Sequence, residues 1–151
     1  MKRIAIFPGS FDPFTTGHAD IVKRALPLFD EIIIGIGVNS NKQRYFSAEQ
    51  MFERITAAYS ETPNVKVEIY TGLTANLARR HGAGFLLRGV RNTTDFEYEN
   101  SLAHANTHVL PGLETIFMIT SPTLIWVTGT IVRDLHRHGS DVSGFLPYEL
   151  K

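Results

Sequence analysis

The run Glu31-Ile32-Ile33-Ile34-Gly35-Ile36-Gly37-Val38 limits this chain more than any other stretch. It has strand length and is rich in β-branched residues. It alternates too little for a half-exposed strand, so it predicts a central strand buried on both faces. Such a strand needs helices above and below it. A helical pattern comes just before, with Ile21, Val22, Ala25 and Phe29 at helical spacing within 19–29, and Pro27 should kink that helix or end it early. Ahead of this lies another short apolar run, Ile4 to Phe7, which also reads as a buried strand. Strand, helix, strand in this order implies a βαβ unit and a parallel pair.

The rest of the chain repeats the pattern. Ser47-Ala48-Glu49-Gln50 is a capping-box pattern that opens a helix to about Ser60, and Pro63-Asn64 breaks it. Val65 to Tyr70 alternates as a third strand, and Thr71 to His81 reads as a helix stopped by Gly82. Phe85-Leu86-Leu87 is a fourth short strand, with Arg88-Gly89-Val90-Arg91 following it. Thr94-Asp95-Phe96-Glu97 is a second capping box, starting a helix to about His108. Pro111-Gly112 turns the chain into a fifth strand, Glu114 to Ile119. A hydroxyl-rich loop, Ser121 to Gly129, leads to a helix over Thr130–His138, and the tail has no clear pattern. With no linker or repeat, 1–151 reads as one domain. The expected class is α/β, a Rossmann-like dinucleotide-binding fold with a five-stranded parallel sheet and helices on both faces.

In a parallel sheet the loops after the strands gather at one edge, where ligands bind. Here those loops hold Ser10–His18, Lys42, Arg88–Arg91 and Ser121–Thr130. They should converge on a crevice lined by cations and hydroxyls. The chain as a whole is neutral, with 15 basic and 15 acidic residues, which argues against a basic nucleic-acid-binding surface, so any anion site is local. There is no cysteine, which excludes disulfides and thiolate metal sites and fits a reducing compartment. No apolar run reaches the roughly 20 residues of a membrane span, and the N-terminus lacks a signal-peptide pattern.

The chemistry centres on Phe7-Pro8-Gly9-Ser10-Phe11-Asp12-Pro13-Phe14-Thr15-Thr16-Gly17-His18, a strand–turn–helix corner. A helix start carries unpaired N–H groups and can hold an anion, and Ser10, Thr15 and Thr16 add hydroxyls. His18 falls in the first helical turn, where its ring can reach a ligand at the strand ends. Arg88 and Arg91 can each grip phosphate oxygens with paired hydrogen bonds. Donors aimed at the charge that develops around a phosphorus lower the barrier to nucleotidyl transfer. A phosphate nucleophile is already anionic near neutral pH and needs no general base. Taken singly, each of these residues also has a structural explanation. Two competing phosphate loops are absent: there is no GxxxxGK[ST], and Gly35-Ile36-Gly37 lacks the third glycine of GxGxxG. His104 and His108 lie four apart on a helix, but no third metal ligand accompanies them, and they read as a polar or interface face. Trp126 reads as core.

The paired motifs Gly-Ser-Phe-Asp-Pro and Thr-x-Gly-His, with Lys42, Arg88-Gly89-x-Arg91 and Asp95-Phe96-Glu97-Tyr98-Glu99, resemble the bacterial phosphopantetheine adenylyltransferase family of TxGH nucleotidyltransferases. The resemblance covers nearly the whole chain. It implies transfer of an adenylyl group from ATP, with Mg²⁺, to 4′-phosphopantetheine, giving 3′-dephospho-coenzyme A and pyrophosphate. It also implies a cytoplasmic homohexamer with coenzyme A as feedback inhibitor, and no nucleic-acid or membrane partner. By the same resemblance His18 stabilises the transition state and touches ATP. Ser10 meets both substrates, and Phe11 lies on the ATP side. Lys42, Thr74 and Arg88 bind the acceptor. Gly89, Val90, Arg91, Glu99 and the segment Leu124, Ile125, Trp126, Val127, Thr128, Gly129 and Thr130 line the ATP site. Relatives usually carry Ile-Ser-Ser-[Ser/Thr] where this chain has Val127-Thr128-Gly129-Thr130, an aromatic residue where Leu124 stands, and an apolar residue where Thr74 stands. Two other readings remain open: an adenylyl- or cytidylyltransferase for a different phosphorylated acceptor, and a non-catalytic adenine-nucleotide sensor.

Overall fold

A computed structural model of the chain describes residues 1–150. Five strands, β1 (Ile4–Gly9), β2 (Glu31–Gly37), β3 (Val65–Tyr70), β4 (Phe85–Val90) and β5 (Glu114–Ile119), form one sheet. Its order is β3-β2-β1-β4-β5, and every neighbouring pair is parallel. The intervening helices are α1 (Thr16–Ala25), α2 (Ala48–Ala58), α3 (Thr74–His81) and α4 (Thr93–Val109), with α5 (Gly129–Arg137) after the last strand. The α/β class and strand count predicted from the alternation are observed.

The period of two along each strand sorts the core into two layers. Ala5 and Phe7 of β1, with Ile32, Ile34 and Ile36 of β2, pack against Ile21 and Val22 of α1 and Met51 and Ile55 of α2. Ile6 and Ile33 point the other way, onto Leu77 and Ala78 of α3 and Val109 at the end of α4. Helices therefore cover both faces. Each isoleucine removed from water in this way contributes about 1.5–3 kcal/mol. A third cluster, Val127, Val132, Val142 and Leu146, fastens α5 and the tail.

Several boundaries differ from the sequence reading. Helix α1 begins at Thr16 because Thr15 caps it, and Pro27 turns its end into a short 3₁₀ segment, Leu26–Leu28. Ser47 accepts the Gln50 N–H at 3.0 Å, the one half of its box observed as a hydrogen bond. Strand β4 does not stop at Leu87. Arg88, Gly89 and Val90 pair with Phe117, Met118 and Ile119, so Arg88 lies inside the strand. Helix α4 is capped by Asn92, whose side chain accepts the Asp95 N–H at 2.9 Å, and not by Thr94. The tail is anchored: the Tyr148 hydroxyl donates to the Phe14 carbonyl at 2.6 Å. Adjacent β1 and β4 mark the place where the strand order reverses, and a crevice opens beyond their carboxyl ends.

Candidate active site

That crevice is a cleft of about 490 Å³, walled by Gly9, Ser10, His18, Gly89, Arg91 and Thr128 among others. The turn that feeds it is tightly wound. Phe11 adopts a left-handed backbone with φ of 46° and is buried, and a side chain on Gly9 would meet its ring at 2.9 Å. Glycine is therefore required at position 9 by packing. Phe11 in turn meets the His18 ring edge to face, with centroids 4.9 Å apart.

His18 is the third residue of α1 and closes a capping box. The Thr15 hydroxyl accepts the His18 N–H at 3.5 Å, and His18 Nδ1 accepts the Thr15 N–H at 2.9 Å. A backbone N–H can only donate, so Nδ1 carries no proton and the neutral ring bears its N–H at Nε2. Removal from water among Phe7, Phe11 and Phe14, followed by the positive charges of Arg88 and Arg91, pushes the His18 pKa down to about 4. Near pH 7 the ring is thus a neutral donor of fixed tautomer. Thr15 is 1% exposed and engaged in the cap, so it offers no hydroxyl to a ligand.

The cations on β4 come with their own carboxylates. Arg88 Nε and Nη2 donate to the two Glu99 oxygens at 2.7 Å each, and Nη1 donates to the Pro8 carbonyl. Glu99 is the buried acid of α4, 7% exposed. Arg88 has five N–H bonds, so one on Nη1 and one on Nη2 remain for a ligand. Arg91 Nε donates to Asp95 at 2.9 Å, and hydrogen bonds from Arg91 hold the Asp95 carboxyl below the usual range.

Two further cavities adjoin the cleft. One, of about 400 Å³, runs between α3 and α4 and is walled by Gly9, Ser10, Thr74, Arg88, Leu102 and Val109. The other, of about 530 Å³, holds Lys42 with Ser10, Asn39, Arg44, Arg133 and Arg137. Ser10 borders all three spaces. The structure therefore brings His18, Arg88, Gly89, Arg91 and Glu99 to one cleft, and places Lys42 and Thr74 in the adjoining cavities.

The segment from Leu124 into the first turn of α5 is split. Leu124, Val127, Thr128, Gly129 and Thr130 line the cleft, whereas Ile125 and Trp126 are exposed and do not. Trp126 is not core: it is 51% exposed, with its ring edge-on to Phe145 at 5.1 Å. The Thr128 hydroxyl caps α5 by accepting from the Ile131 N–H, and Thr130 accepts from Arg133. Sequence reasoning missed Asp12, Asp95 and Arg133 in the cleft and Arg44 beside it. Arg44 follows the second strand, the same signal that singled out Lys42. Asp12 lies in the Gly-Ser-Phe-Asp-Pro motif, but Arg133 is more than a hundred positions away from it and nothing local pairs the two. Among the described residues no three His, Cys, Asp or Glu side chains gather as a metal site, so His104 and His108 have no third ligand.

A parallel sheet with its cleft at the strand reversal, a Thr-x-Gly-His helix start and paired arginines defines a nucleotidyltransferase-type fold. The chain belongs to the cytidylyltransferase-like family, whose model matches residues 6–135, and within it to the phosphopantetheine adenylyltransferases. It is 55% identical over 150 residues to the phosphopantetheine adenylyltransferase of Cytophaga hutchinsonii, covering 99% of this chain and 100% of that protein. To the enzyme of that name from Flavobacterium psychrophilum it is 50% identical over 145 residues, covering 96% and 95%. The fold matches a bifunctional NMN adenylyltransferase/ADP ribose pyrophosphatase from Francisella tularensis, solved with AMP and a Mn ion. The TM-score is 0.70 at 18% identity, over 99% of this chain and 45% of that one. Among the described residues no helix is long and apolar enough to cross a membrane.

Proposed function

We propose that this chain transfers the adenylyl group of ATP to 4′-phosphopantetheine, giving 3′-dephospho-coenzyme A and pyrophosphate. The observation that carries the reading is the common border at Ser10: a cationic cleft for a nucleotide on one side, and a largely apolar-walled cavity between α3 and α4 on the other. The second suits an uncharged arm that ends in a phosphate. An oxygen of that phosphate attacks the α-phosphorus, and the bond to the β-phosphate breaks to release pyrophosphate. The attacking group is anionic near pH 7, so no base is required. His18 donates its Nε2 proton as a hydrogen bond to the α-phosphoryl oxygen as charge builds there, without giving the proton up.

Lys42 and the two free N–H bonds of Arg88 hold the acceptor phosphate, with Thr74 along the arm. Arg91, the backbone of Gly89 and Val90, and the cleft-lining residues Leu124, Val127, Thr128, Gly129 and Thr130 hold ATP. Mg²⁺ would enter with ATP and would neutralise part of the triphosphate charge beside Arg91. Coenzyme A carries the same pantetheine arm and adenine nucleotide as the proposed acceptor and product, and this shared chemistry supports feedback inhibition at the same cleft. Tyr98 and Leu102 on α4 and Ile119 on β5 are exposed apolar side chains, with Ile119 74% exposed, and this supports assembly with further copies of the chain, as a homohexamer.

Pyrophosphate release from ATP is measured with phosphopantetheine, nicotinamide mononucleotide or glycerol phosphate as acceptor. Release with phosphopantetheine alone is expected. Release with another acceptor alone changes the substrate, and release with none makes the protein a nucleotide sensor. Lys42→Ala should raise KM for phosphopantetheine without raising that for ATP.

A further inference from the structure

The turn between β1 and α1 presents its carbonyl oxygens to arginines. Arg44 is inserted beneath it: Nη1 donates to the Ser10 carbonyl at 2.6 Å, Nη2 to the Phe11 carbonyl at 3.0 Å, and Nε to the Phe46 carbonyl at 2.9 Å. From α5, Arg133 Nη1 donates to the Asp12 carbonyl at 2.6 Å, while Nη2 donates to Thr130 Oγ1 at 3.2 Å. The Asp12 carboxylate accepts the Phe46 and Tyr45 N–H groups at 2.7 and 2.9 Å, tying the turn to the segment that carries Arg44. A carbonyl facing a triphosphate repels it. Directing carbonyls onto guanidinium groups removes that repulsion and cancels their partial charge.

Gly129 belongs to the same arrangement. A Cβ there would lie 3.0 Å from Arg133 Nη1 and 3.4 Å from the Asp12 carbonyl oxygen. The absent side chain leaves the path along which Arg133 crosses the first turn of α5 to reach the turn beyond β1.

We infer that Arg44 and Arg133 are positioning residues, a two-sided clamp that fixes the Ser10–Asp12 turn against the cleft, and that Gly129 is the opening through which one side of the clamp passes. The inference rests on the adenylyl-transfer reading, since it assigns these residues to the alignment of reacting phosphates. Small misplacements at a reacting centre are costly, with about 1 Å able to remove 10²-fold in rate.

The test uses the full chain with Arg44→Met, Arg133→Met, the double variant, Arg44→Lys and Arg133→Lys, and measures pyrophosphate release and melting. Each Met variant should lower kcat about 10-fold or more, with KM for ATP changed less than about 3-fold. The double variant should lose less than the product of the single losses, because both arginines hold one segment. Lysine should restore much of the rate at position 133, which makes one bond to the turn, and little at position 44, where three carbonyls need the planar fork. Lower melting temperature with unchanged kcat would reduce the pair to a stabilising role and overturn the inference. So would a raised KM with unchanged kcat, which marks direct anion binding. If the Met variants do not fold, amide hydrogen exchange decides: the Tyr45 and Phe46 amides, held by the Asp12 carboxylate, should exchange faster in Arg44→Lys than in the parent chain, and equal exchange overturns the clamp. A parent chain that releases no pyrophosphate defeats only the functional reading, and the exchange measurement still judges the clamp.

Discussion

The two corners that face each other across the cleft are held by opposite means. At the β1–α1 corner, side chains bond to backbone: Thr15 and His18 complete a cap, and Arg44 and Arg133 take up carbonyls. At the β4–α4 corner, charge meets charge: Arg88 with Glu99, and Arg91 with Asp95. The first corner is fixed before any ligand arrives. The second holds cations in readiness, each kept soluble in the fold by a neighbouring acid and each with N–H bonds left over. Geometry is set on one side of the cleft and charge on the other.

The largest expected effect tests the charged corner. Arg88→Met leaves the buried Glu99 carboxylate without its partner and should cost about 3–5 kcal/mol of stability. Adding Glu99→Gln should return a large part of it, as read from denaturant unfolding. If the second change restores nothing, the acid does not depend on Arg88 and the contrast between the corners fails. Next comes the fixed corner. His18→Ala should lower turnover about 10²–10³-fold with the fold intact by circular dichroism. His18→Gln, which keeps an N–H donor, should lose less. Equal losses would show that the ring does something other than donate a hydrogen bond.

The same residue predicts a pH dependence. With the folded pKa at about 4 and an unfolded value of about 6.5, the unfolded chain binds the extra proton first as pH falls. The His18 contribution to stability is therefore complete above about pH 6.5 and declines down to about pH 4, by about 3 kcal/mol in all. His18→Gln should flatten that part of the stability curve. An NMR titration midpoint for His18 near 6.5 would contradict the neutral ring. The smallest effect concerns the cap alone: Thr15→Val should cost about 1–2 kcal/mol, because it removes the oxygen that accepts from the His18 N–H. A larger fall in turnover than in stability would show that the cap also aims the imidazole.

The parts of the fold written in local patterns were legible. The β-branched runs, helical spacing and glycine stops placed all five strands and the helices between them, because each signal sits within the element it describes. Errors arose where two local signals competed. Arg88-Gly89-Val90-Arg91 looks like a loop after Leu87, but pairing with Phe117, Met118 and Ile119 carries the strand through it. Thr94 and Asn92 both suit a helix start, and the extended backbone at Asn92 decides. In the site, His18, Arg88, Arg91 and Glu99 could be read from motifs. That Arg88 grips Glu99, or that Arg44 and Arg133 hold one turn, depends on contacts between distant segments and is invisible in any window. Trp126 misled for a simpler reason: a large apolar residue was assigned to the interior, and its loop lies on the surface.

The strand order has a bearing on how the molecule comes into being. The first strand made is the middle one of the sheet, and β2 and β3 line up on one side of it before β4 exists. A nascent chain that has emerged only as far as α3 therefore exposes one long edge of β1 and the apolar flank beside it, an invitation to mispairing. Release of β4 closes that edge and, in the same event, delivers Arg88 to the Pro8 carbonyl. The first step in building the cleft and protection of the β1 edge thus fall at one moment of synthesis, and stalled chains ending before Phe85 should be recovered with chaperones far more than chains ending after Ile119.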